Sequence, residues 1–415
     1  MAPVEAANTQ VKGEFGNNWS LLIPCFAGIM LCAVHGYSLG VMIGPLEKEF
    51  GWSRAEISSG MLITAVIALV ASPLVGTAVD RVGPRRIALT GVLAYCGALA
   101  ALSLTGPSIV SWWLLWTLVG AANALILPTV WVTAISSRFS RHRGKALAIA
   151  LCGTGLSGAL VPILMIMLLE AWGWRGAYIG LGAIFAATVF PVAFVLLRVS
   201  PDCKIAESAR KLSPSVGTGT RYSPAFVKLA FAAILFALTV SALSTNAFPL
   251  LLAEGLDRQS AAAMVSFIGL GAVIGRLGGG YLLDRFDARK VAATSALLPI
   301  LAASALLATE GSIVTAGAAC FIVGLSAGGE VDACAYLAGR YFGLENFGRM
   351  FGTINGFVIF ASGLGPIAAN YVFDLTKNYE IVLWAQIPAI LVSALLFLVL
   401  GAYPAFPTAP SQTAR

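Results

Sequence analysis

The stretch GTAVDRVGPRR, residues 76–86, returns as GYLLDRFDARK at residues 280–290, and no gap is needed to align the two. Their first residues, 76 and 280, lie 204 positions apart, and the same shift pairs Pro45 with Pro249. Many turn residues and loop charges align in this way, which chance does not produce. A period of half the chain is too long for a solenoid, whose units span about 20–50 residues. The chain is therefore predicted to contain two copies of one structural half.

The composition is that of a chain folded in lipid. Hydrophobic residues make up 58% of the chain, charged residues only 11%, and the mean hydropathy is +0.87, whereas soluble domains hold about 25% charged residues. A run of about 20 apolar residues spans a bilayer, and it must be helical because no water satisfies its backbone. We find twelve such runs, at roughly 19–44, 56–79, 85–105, 108–137, 144–170, 176–198, 226–250, 260–283, 290–309, 312–339, 347–373 and 381–403. The predicted fold class is an all-α polytopic membrane protein, with twelve transmembrane helices in two parallel six-helix repeats.

Polar stretches indicate how the chain is divided. The middle stretch is rich in serine and proline, which is typical of a linker, and the first eighteen residues contain no basic region followed by a cleavage site, so no removable signal peptide is predicted. The predicted organisation is a cytoplasmic tail at 1–18, an N-terminal half at 19–198, a cytoplasmic linker at 199–225, a C-terminal half at 226–403 and a cytoplasmic tail at 404–415.

Lysine and arginine are distributed unevenly between the two sets of predicted loops. Most of the 26 fall on the set that contains residues 76–86 and 280–290, together with the linker. The positive-inside rule therefore predicts a multi-pass protein of the inner (plasma) membrane with both termini cytoplasmic. The net charge of +7 is dispersed over short loops, so the lipid bilayer is an expected partner and nucleic acid is not. The seven cysteines have no metal-binding spacing, and neither a metal nor a cofactor is predicted.

The repeated loop resembles a known signature. GTAVDRVGPRR resembles the loop between helices 2 and 3 of the major facilitator superfamily, and the weaker copy lies where that superfamily repeats it. Three further stretches resemble the branch that contains monocarboxylate transporters and oxalate/formate antiporters, namely EFGWSRAEIS (49–58), GWRGAY (173–178) and YLAGRYFG (336–343). The resemblance implies a secondary transporter whose two halves rock about a site near the bilayer midplane.

The signature loops are candidates for a gate. Asp80 and Asp284 are able to accept from arginines and from a helix N-terminus, and the glycines permit close helix approach. We predict a conformational latch at this end of the molecule, although these charges have the alternative role of enforcing topology alone. The gating candidates are Gly76, Asp80, Arg81, Arg85, Arg86, Gly280, Asp284, Arg285 and Arg289.

Ionisable residues inside the predicted helices are the best guide to function, because each costs about 3 kcal/mol at a helix centre unless it is paired or faces a cavity. The four are His35, Arg276, Glu330 and Asp332. A guanidinium at the depth of Arg276 is suited to binding a carboxylate bidentately. Related carboxylate transporters carry an arginine at the matching place in helix 8, so the resemblance also implies that Arg276 binds the substrate anion. The alternative is a permanent structural ion pair with Glu330 or Asp332.

Three of these residues are candidates for proton coupling. Glu330 and Asp332 are two residues apart, hence about 200° apart around a helix, so they do not face the same cavity. We expect Glu330 to face the cavity and Asp332 to be structural, and we keep both as candidates. His35 titrates near physiological pH and is suited to relaying a proton. The alternative for His35 is a hydrogen-bonded histidine of the core.

Other polar residues of the helices are predicted to shape the substrate site. Side chains of this kind hold membrane helices together more often than they contact a ligand, and that is their alternative role. The predicted substrate contacts besides Arg276 are Tyr37, Asn123, Tyr336 and Asn355.

Two departures from the related families narrow the expected substrate. The animal-type monocarboxylate transporters have an acid where this chain has Ala272, and the oxalate/formate pattern has a lysine in helix 11 that residues 347–373 lack. One net positive charge in the cavity suits a monocarboxylate better than a dianion. We therefore expect proton-coupled uptake of small organic monocarboxylates by a protein that functions as a monomer.

Two other functions are compatible with the sequence. One is exchange of organic anions or efflux of amphipathic compounds, which apolar cavity walls without a required carboxylate would indicate. The other is a non-transporting membrane sensor, although we find no appended soluble signalling domain. Enzymatic activity is not expected, because the sequence shows no paired carboxylates, nucleophile motif, metal cluster or phosphate loop.

Overall fold

The computed structural model of the protein describes residues 2–139, 142–197, 223–308 and 311–404. These residues are almost entirely helical. The predicted linker at 199–225 lies outside the described residues except for its last three positions, and the predicted tail at 404–415 lies outside them except for Pro404.

The helices follow the predicted apolar runs, and we number the transmembrane spans 1 to 12 along the chain. The helices are Ala2–Cys32 and Val34–Phe50 (span 1), Arg54–Val82 (span 2), Pro84–Ala101 (span 3), Ile109–Ala124 and Pro128–Ser136 (span 4), Arg143–Leu151 and Gly153–Leu196 (spans 5 and 6), Pro224–Ala253 (span 7), Arg258–Arg285 (span 8), Ala288–Leu307 (span 9), Ile313–Thr376 (spans 10 and 11) and Glu380–Leu398 (span 12).

Two glycines turn the chain within long helices and thereby set the number of spans. Among the described residues, eleven helical stretches are long and apolar enough to cross a membrane, and the longest of them, Arg143–Leu196, has 54 residues. Gly173 interrupts this stretch with φ 68° and ψ 178°, a backbone conformation that favours glycine. Gly343, with φ 73°, separates spans 10 and 11 in the same way. The stretch divided at Gly173 supplies two spans, so the predicted twelve transmembrane helices are confirmed.

The bundle has two ends, which we name by the residues they hold. The signature end holds the repeated loops, residues 76–86 and 280–290, and the far end holds residues 47–58 and 370–379. Spans 2 and 8 each begin at the far end and finish at the signature end, as the repeat predicts.

Glycines bring the two halves into direct backbone contact. Gly40 of span 1 lies against the carbonyl of Thr245 in span 7, and Gly269 of span 8 lies against Gly155 and Gly158 of span 5. Because glycine has no side chain, such crossings let membrane helices approach more closely than other residues allow. The small-residue face of span 5 therefore forms one of the contacts between the halves.

A second set of glycines packs span 8 against span 10 inside the C-terminal half. Gly271 and Gly275, one turn apart, lie against the span 10 backbone at Phe321 and Leu325, and Gly328 lies against the span 8 carbonyl of Ala272. These contacts fix the rotation of both helices about their axes. They also decide which acidic residue of span 10 faces Arg276.

Candidate functional site

Arg276 connects three helices and both halves of the protein. Its Nη1 donates to the carbonyl of Leu151 in span 5, at 2.8 Å. Its Nε lies 3.5 Å from Oδ2 of Asp332 in span 10. The side chains of Arg276 and Asp332 are 11% and 30% exposed, so the ion pair borders an accessible space and is not sealed in the core.

An interruption in span 5 presents the carbonyl that Arg276 uses. One helix ends at Leu151 and the next begins at Gly153, and the Cys152 amide hydrogen is shared between the carbonyls of Ala148 and Ile149. The hydroxyl of Thr154 also donates to the Leu151 carbonyl, at 3.0 Å. A carbonyl at a helix end has capacity for partners outside the helix.

The guanidinium of Arg276 keeps donors that the protein does not use. Its Nε is buried and donates no hydrogen bond within the described residues. A guanidinium has five N–H donors in a planar fork, and one of them is engaged, by the Leu151 carbonyl. Arg276 therefore has the capacity to bind an anion that enters from the accessible side.

The structure places the two acidic residues of span 10 opposite to our expectation. Asp332 pairs with Arg276, whereas Glu330 is only 9% exposed and lies between its own helix and spans 7, 9, 11 and 12. Gly328 packs against span 8, and Asp332 follows it by one helical turn on the same face, so Glu330 points elsewhere. The expectation that Glu330 faces the cavity is corrected on this ground. The Oε1 atom of Glu330 has no hydrogen-bond partner within the described part of the chain.

His35 belongs to the interior of the N-terminal half. Its Nδ1 lies 2.9 Å from the hydroxyl of Tyr95 in span 3, and its ring meets that of Trp116 in span 4 edge-on, with centroids 6.1 Å apart. The side chain is half-buried. The structure thus supports the core alternative for this histidine and leaves its predicted role in proton coupling as a hypothesis.

The remaining predicted substrate contacts fall into two groups. Tyr336 is 38% exposed and lies one turn from Asp332 on the same face of span 10. The ring of Tyr37 packs on Gly158, which also lies against Gly269 where the halves meet. Asn123 is buried in span 4, and Asn355 of span 11 lies beside Glu330, so neither is brought to Arg276 by an observed contact.

The signature end holds the residues of the predicted latch. Asp80 and Asp284 are exposed, and within the described residues neither forms an ion pair with an arginine. The guanidinium of Arg285 lies 4.6 Å from the ring centre of Tyr281 on its own helix. Space is also open around the two signature glycines, since a Cβ atom on either would meet nothing within 4 Å. The exposed gating candidates are Asp80, Arg81, Arg86, Asp284 and Arg285.

Arg85 and Arg289 bind carbonyls of their own halves in this structure. Arg85 donates to the carbonyl of Phe194 at the end of span 6, at 2.9 Å, and Arg289 donates to the carbonyl of Gly401 after span 12, at 2.6 Å. Cations bind well at helix C-termini, where carbonyls lack partners. A side-chain hydrogen bond from Arg289 also holds the pKa of Asp287, in the loop, well below its usual range. Both arginines therefore hold a signature loop against their own half, and their role in gating stays a prediction.

The sequence analysis missed a polar network at the far end. The carboxylate of Asp374, in span 11, accepts from the backbone amides of Arg54 and Ala55 at the start of span 2, at 3.1 and 2.9 Å. The Arg54 side chain donates to the hydroxyl of Tyr379 at 3.1 Å and to Glu47 at 2.9 Å. Here the C-terminal half supplies the acceptor for a helix N-terminus of the N-terminal half.

Buried side chains continue this network toward the membrane interior. Asn370 donates to the hydroxyl of Ser58 at 2.5 Å and accepts from Tyr379 at 2.9 Å, and neither Asn370 nor Ser58 is exposed. Burial raises the pKa of Tyr379 to about 12, so its phenol remains a donor across the physiological range. The sequence pointed to this network only through EFGWSRAEIS (49–58). That stretch carried the resemblance to the monocarboxylate and oxalate/formate branch but did not indicate that it contacts span 11.

Together the helices and the ion pair of Arg276 with Asp332 define a class, a polytopic membrane protein of two six-helix repeats with a part-buried arginine that contacts both repeats. The sequence profile described as Major Facilitator Superfamily matches residues 25–331 and 229–414. The chain belongs to this superfamily, whose members are transporters rather than enzymes.

Two of the relatives are named for organic acids. The chain is 24% identical over 396 residues to a gallate transporter of Pseudomonas putida, covering 84% of this chain and 86% of the relative. It is 28% identical over 297 residues to monocarboxylate transporter 11 of Homo sapiens, covering 68% and 60%. The crystal structure of a D-xylose-proton symporter has the same fold, with a TM-score of 0.73 at 14% identity, over 93% of this chain and 98% of that one.

Proposed function

We propose that the protein takes up small organic monocarboxylate anions together with protons. The observation that carries the proposal is the guanidinium of Arg276, which is part-buried between the halves, weakly paired with Asp332 and left with unused donors. A carboxylate binds such a group bidentately, through two parallel hydrogen bonds. Few other ligands would justify an arginine at this depth in a membrane protein.

Competition between two carboxylates couples substrate to proton. In this structure Oδ2 of Asp332 lies 3.5 Å from Nε of Arg276 and offsets its charge. A substrate carboxylate that binds Arg276 displaces Asp332, which then has no cation beside it in a low-dielectric cavity and takes up one proton. The loaded site carries one substrate anion and one added proton, so its net charge equals that of the empty site. The transporter therefore changes conformation at similar electrostatic cost with and without its substrate.

Glu330 and His35 are the alternative proton carriers. Glu330 is buried in the C-terminal half with one carboxyl oxygen unpartnered, and His35 is held by Tyr95 in the N-terminal half. Neither contacts Arg276 in the described structure, so a role for either requires that the proton act on the substrate from a distance. The direct contact favours Asp332 as the coupling acid.

The surroundings of the pair suit a substrate with an apolar or aromatic body. Tyr336 exposes part of its ring one turn from Asp332, and Tyr37 lies where spans 1, 5 and 8 meet. One relative is named for gallate and another for monocarboxylates, which supports the same class of cargo. The substrate contacts that we propose are Arg276, Tyr336 and Tyr37, with Asn123 and Asn355 reached on closure.

The positive-inside rule assigns the signature end to the cytoplasm. With this orientation the structure corresponds to an inward-open state, because hydrogen bonds join the halves at the far end and no ion pair joins the described latch residues at the signature end. Closing the signature end would bring Asp80 and Asp284 to the arginines Arg81, Arg86 and Arg285.

Transport into proteoliposomes tests the proposal. Labelled benzoate, gallate, lactate and pyruvate are offered with and without an inward proton gradient to the native protein, Arg276→Gln and Arg258→Gln. The control, Arg258, is an exposed arginine of the same span. We expect gradient-driven uptake by the native protein and the control, and at least a hundredfold loss in Arg276→Gln, about 3 kcal/mol. Equal uptake by a folded Arg276→Gln protein would refute the role of Arg276, and efflux or gradient-independent exchange would replace symport.

A further inference from the structure

We propose that Asp374 is the gate residue of the far end, and that its bonds to span 2 set the balance between the two conformations of the transporter. The inference rests on the proposed alternating access, but it requires no knowledge of the substrate. It assigns a role to the EFGWSRAEIS segment, which the proposed substrate site does not involve.

The chemistry of the contact is that of an anion at a helix N-terminus. The first amides of a helix have no acceptor within the helix, and a carboxylate placed there is stabilised by both hydrogen bonds and the helix dipole. Asp374 accepts from the first two amides of span 2, those of Arg54 and Ala55. The acceptor and the amides belong to different halves, so the contact exists only while the far end is closed.

Arg54 adds side-chain contacts that also cross between the halves. Its guanidinium lies 3.8 Å from the ring centre of Phe373 and donates to Tyr379, both in the C-terminal half. Glu47, in its own half, holds the guanidinium from the other side at 2.9 Å. The side chain of Arg54 is 17% exposed, so these interactions are only partly screened by water.

The repeat supplies a weaker copy of the same contact. The shift of 204 positions carries Glu170 to Asp374 and Ala55 to Gln259, and the side chain of Gln259 donates to Glu170 at 3.4 Å. The copy joins spans 5 and 8, as Asp374 joins spans 11 and 2. Its single long bond between exposed side chains contributes less than two bonds from helix amides.

The far end and the signature end therefore use the same kind of residue for opposite states. In this structure the far-end acid Asp374 is engaged, while Asp80 and Asp284 at the signature end are exposed and unpaired with arginine within the described residues. A contact present in one conformation and absent from the other shifts the equilibrium by its own free energy. Removing Asp374 should thus populate the conformation that is open at the far end.

Pulsed electron paramagnetic resonance measures this balance directly. Spin labels are placed at Lys48→Cys and Lys377→Cys, two exposed far-end positions on opposite halves, in a Cys203→Ser background whose six described cysteines are buried. Asp374→Ala is expected to add a population at longer distance and to lower the closed-to-open ratio at least tenfold. Asp374→Asn keeps the volume and one acceptor, so we expect it to give an intermediate shift. This variant tests the proposal if the alanine variant folds poorly.

A matched control separates gating from helix capping. Asp257 accepts from the amides of Gln259 and Ser260 at 3.1 and 3.0 Å, so it caps span 8 with the same chemistry but within one half. Asp257→Ala is expected to leave the distance distribution unchanged. Distributions for both Asp374 variants that match the parent would overturn the proposal. A shift in a protein that moves no carboxylate would sustain the gate and refute only the proposed substrate.

Discussion

At the scale of single residues, the position of Asp332 determines which acid of span 10 pairs with Arg276. Two carboxylates lie close together in span 10, and the one in contact with Arg276 is Asp332, at 3.5 Å, while Glu330 lies buried among other helices. The sequence around the two acids does not distinguish them. Their spacing of two residues predicts only that they point in different directions. The choice between them came from the glycine contact at Gly328.

The coupling role of Asp332 leads to a prediction about pH dependence. Asparagine keeps the shape of this side chain but has no site for the proton, so Asp332→Asn should abolish acceleration of uptake by an inward proton gradient. Exchange of labelled for unlabelled substrate at equal pH should persist within about tenfold, because Arg276 still binds the anion. Initial uptake rates between pH 5.5 and 8 measure both. Loss of the gradient effect in Glu330→Gln, with Asp332→Asn unaffected, would move the coupling site to Glu330.

At the scale of helices, apolar length predicted the spans and residue type did not predict their breaks. The twelve runs correspond to the twelve observed spans because spanning lipid demands length and hydrophobicity, and both are local properties. The interruption of span 5 at Cys152, directly before Gly153, presents the Leu151 carbonyl to Arg276, although glycines elsewhere in span 5 leave the helix intact. Such a break depends on neighbouring helices, which a linear sequence does not reveal.

Helix packing gives a second prediction, for the glycine face between spans 8 and 10. A Cβ at Gly275 would run into the backbone of Leu325, whereas a Cβ at Gly278, on the same span, would meet nothing within 4 Å. Overpacking of this kind costs about 1–3 kcal/mol, while alanine favours a helix over glycine by about 1 kcal/mol. We expect Gly275→Ala to lower the midpoint of thermal unfolding in detergent and Gly278→Ala to leave it unchanged or raise it. Equal midpoints would mean that the helices separate readily at this point.

At the scale of the whole molecule, the repeat predicted two similar halves but not the contacts between them. Asp374 and Arg54 are separated by 320 positions, and nothing in either local sequence indicates the other. Contacts between the halves also change with conformation, so one amino-acid sequence is compatible with more than one set of such contacts. The signature loops were readable because each is a continuous segment, whereas the far-end gate is assembled from the beginning of one half and the end of the other.

A third prediction, which belongs to the whole molecule, concerns its orientation in the membrane. Exposed Thr77 lies within residues 76–86 at the signature end and exposed Lys48 lies at the far end, so single cysteines at these positions report on opposite faces. In a Cys203→Ser background, an impermeant maleimide should label Thr77→Cys in inside-out vesicles and Lys48→Cys in right-side-out vesicles. The reverse pattern would place the termini outside and make this structure open to the exterior.

The hydrogen bonds that Asp374 accepts at the start of span 2 affect how water enters the far end. When Asp374 leaves, the amides of Arg54 and Ala55 lose their acceptor, and lipid offers no replacement. Hydration of these two groups is the remaining way to satisfy them, so the far end opens only as fast and as far as solvent enters between the halves. A vestibule that fills with water in this manner admits a hydrated anion and excludes lipid tails, and the first molecules through the gate are those of the solvent.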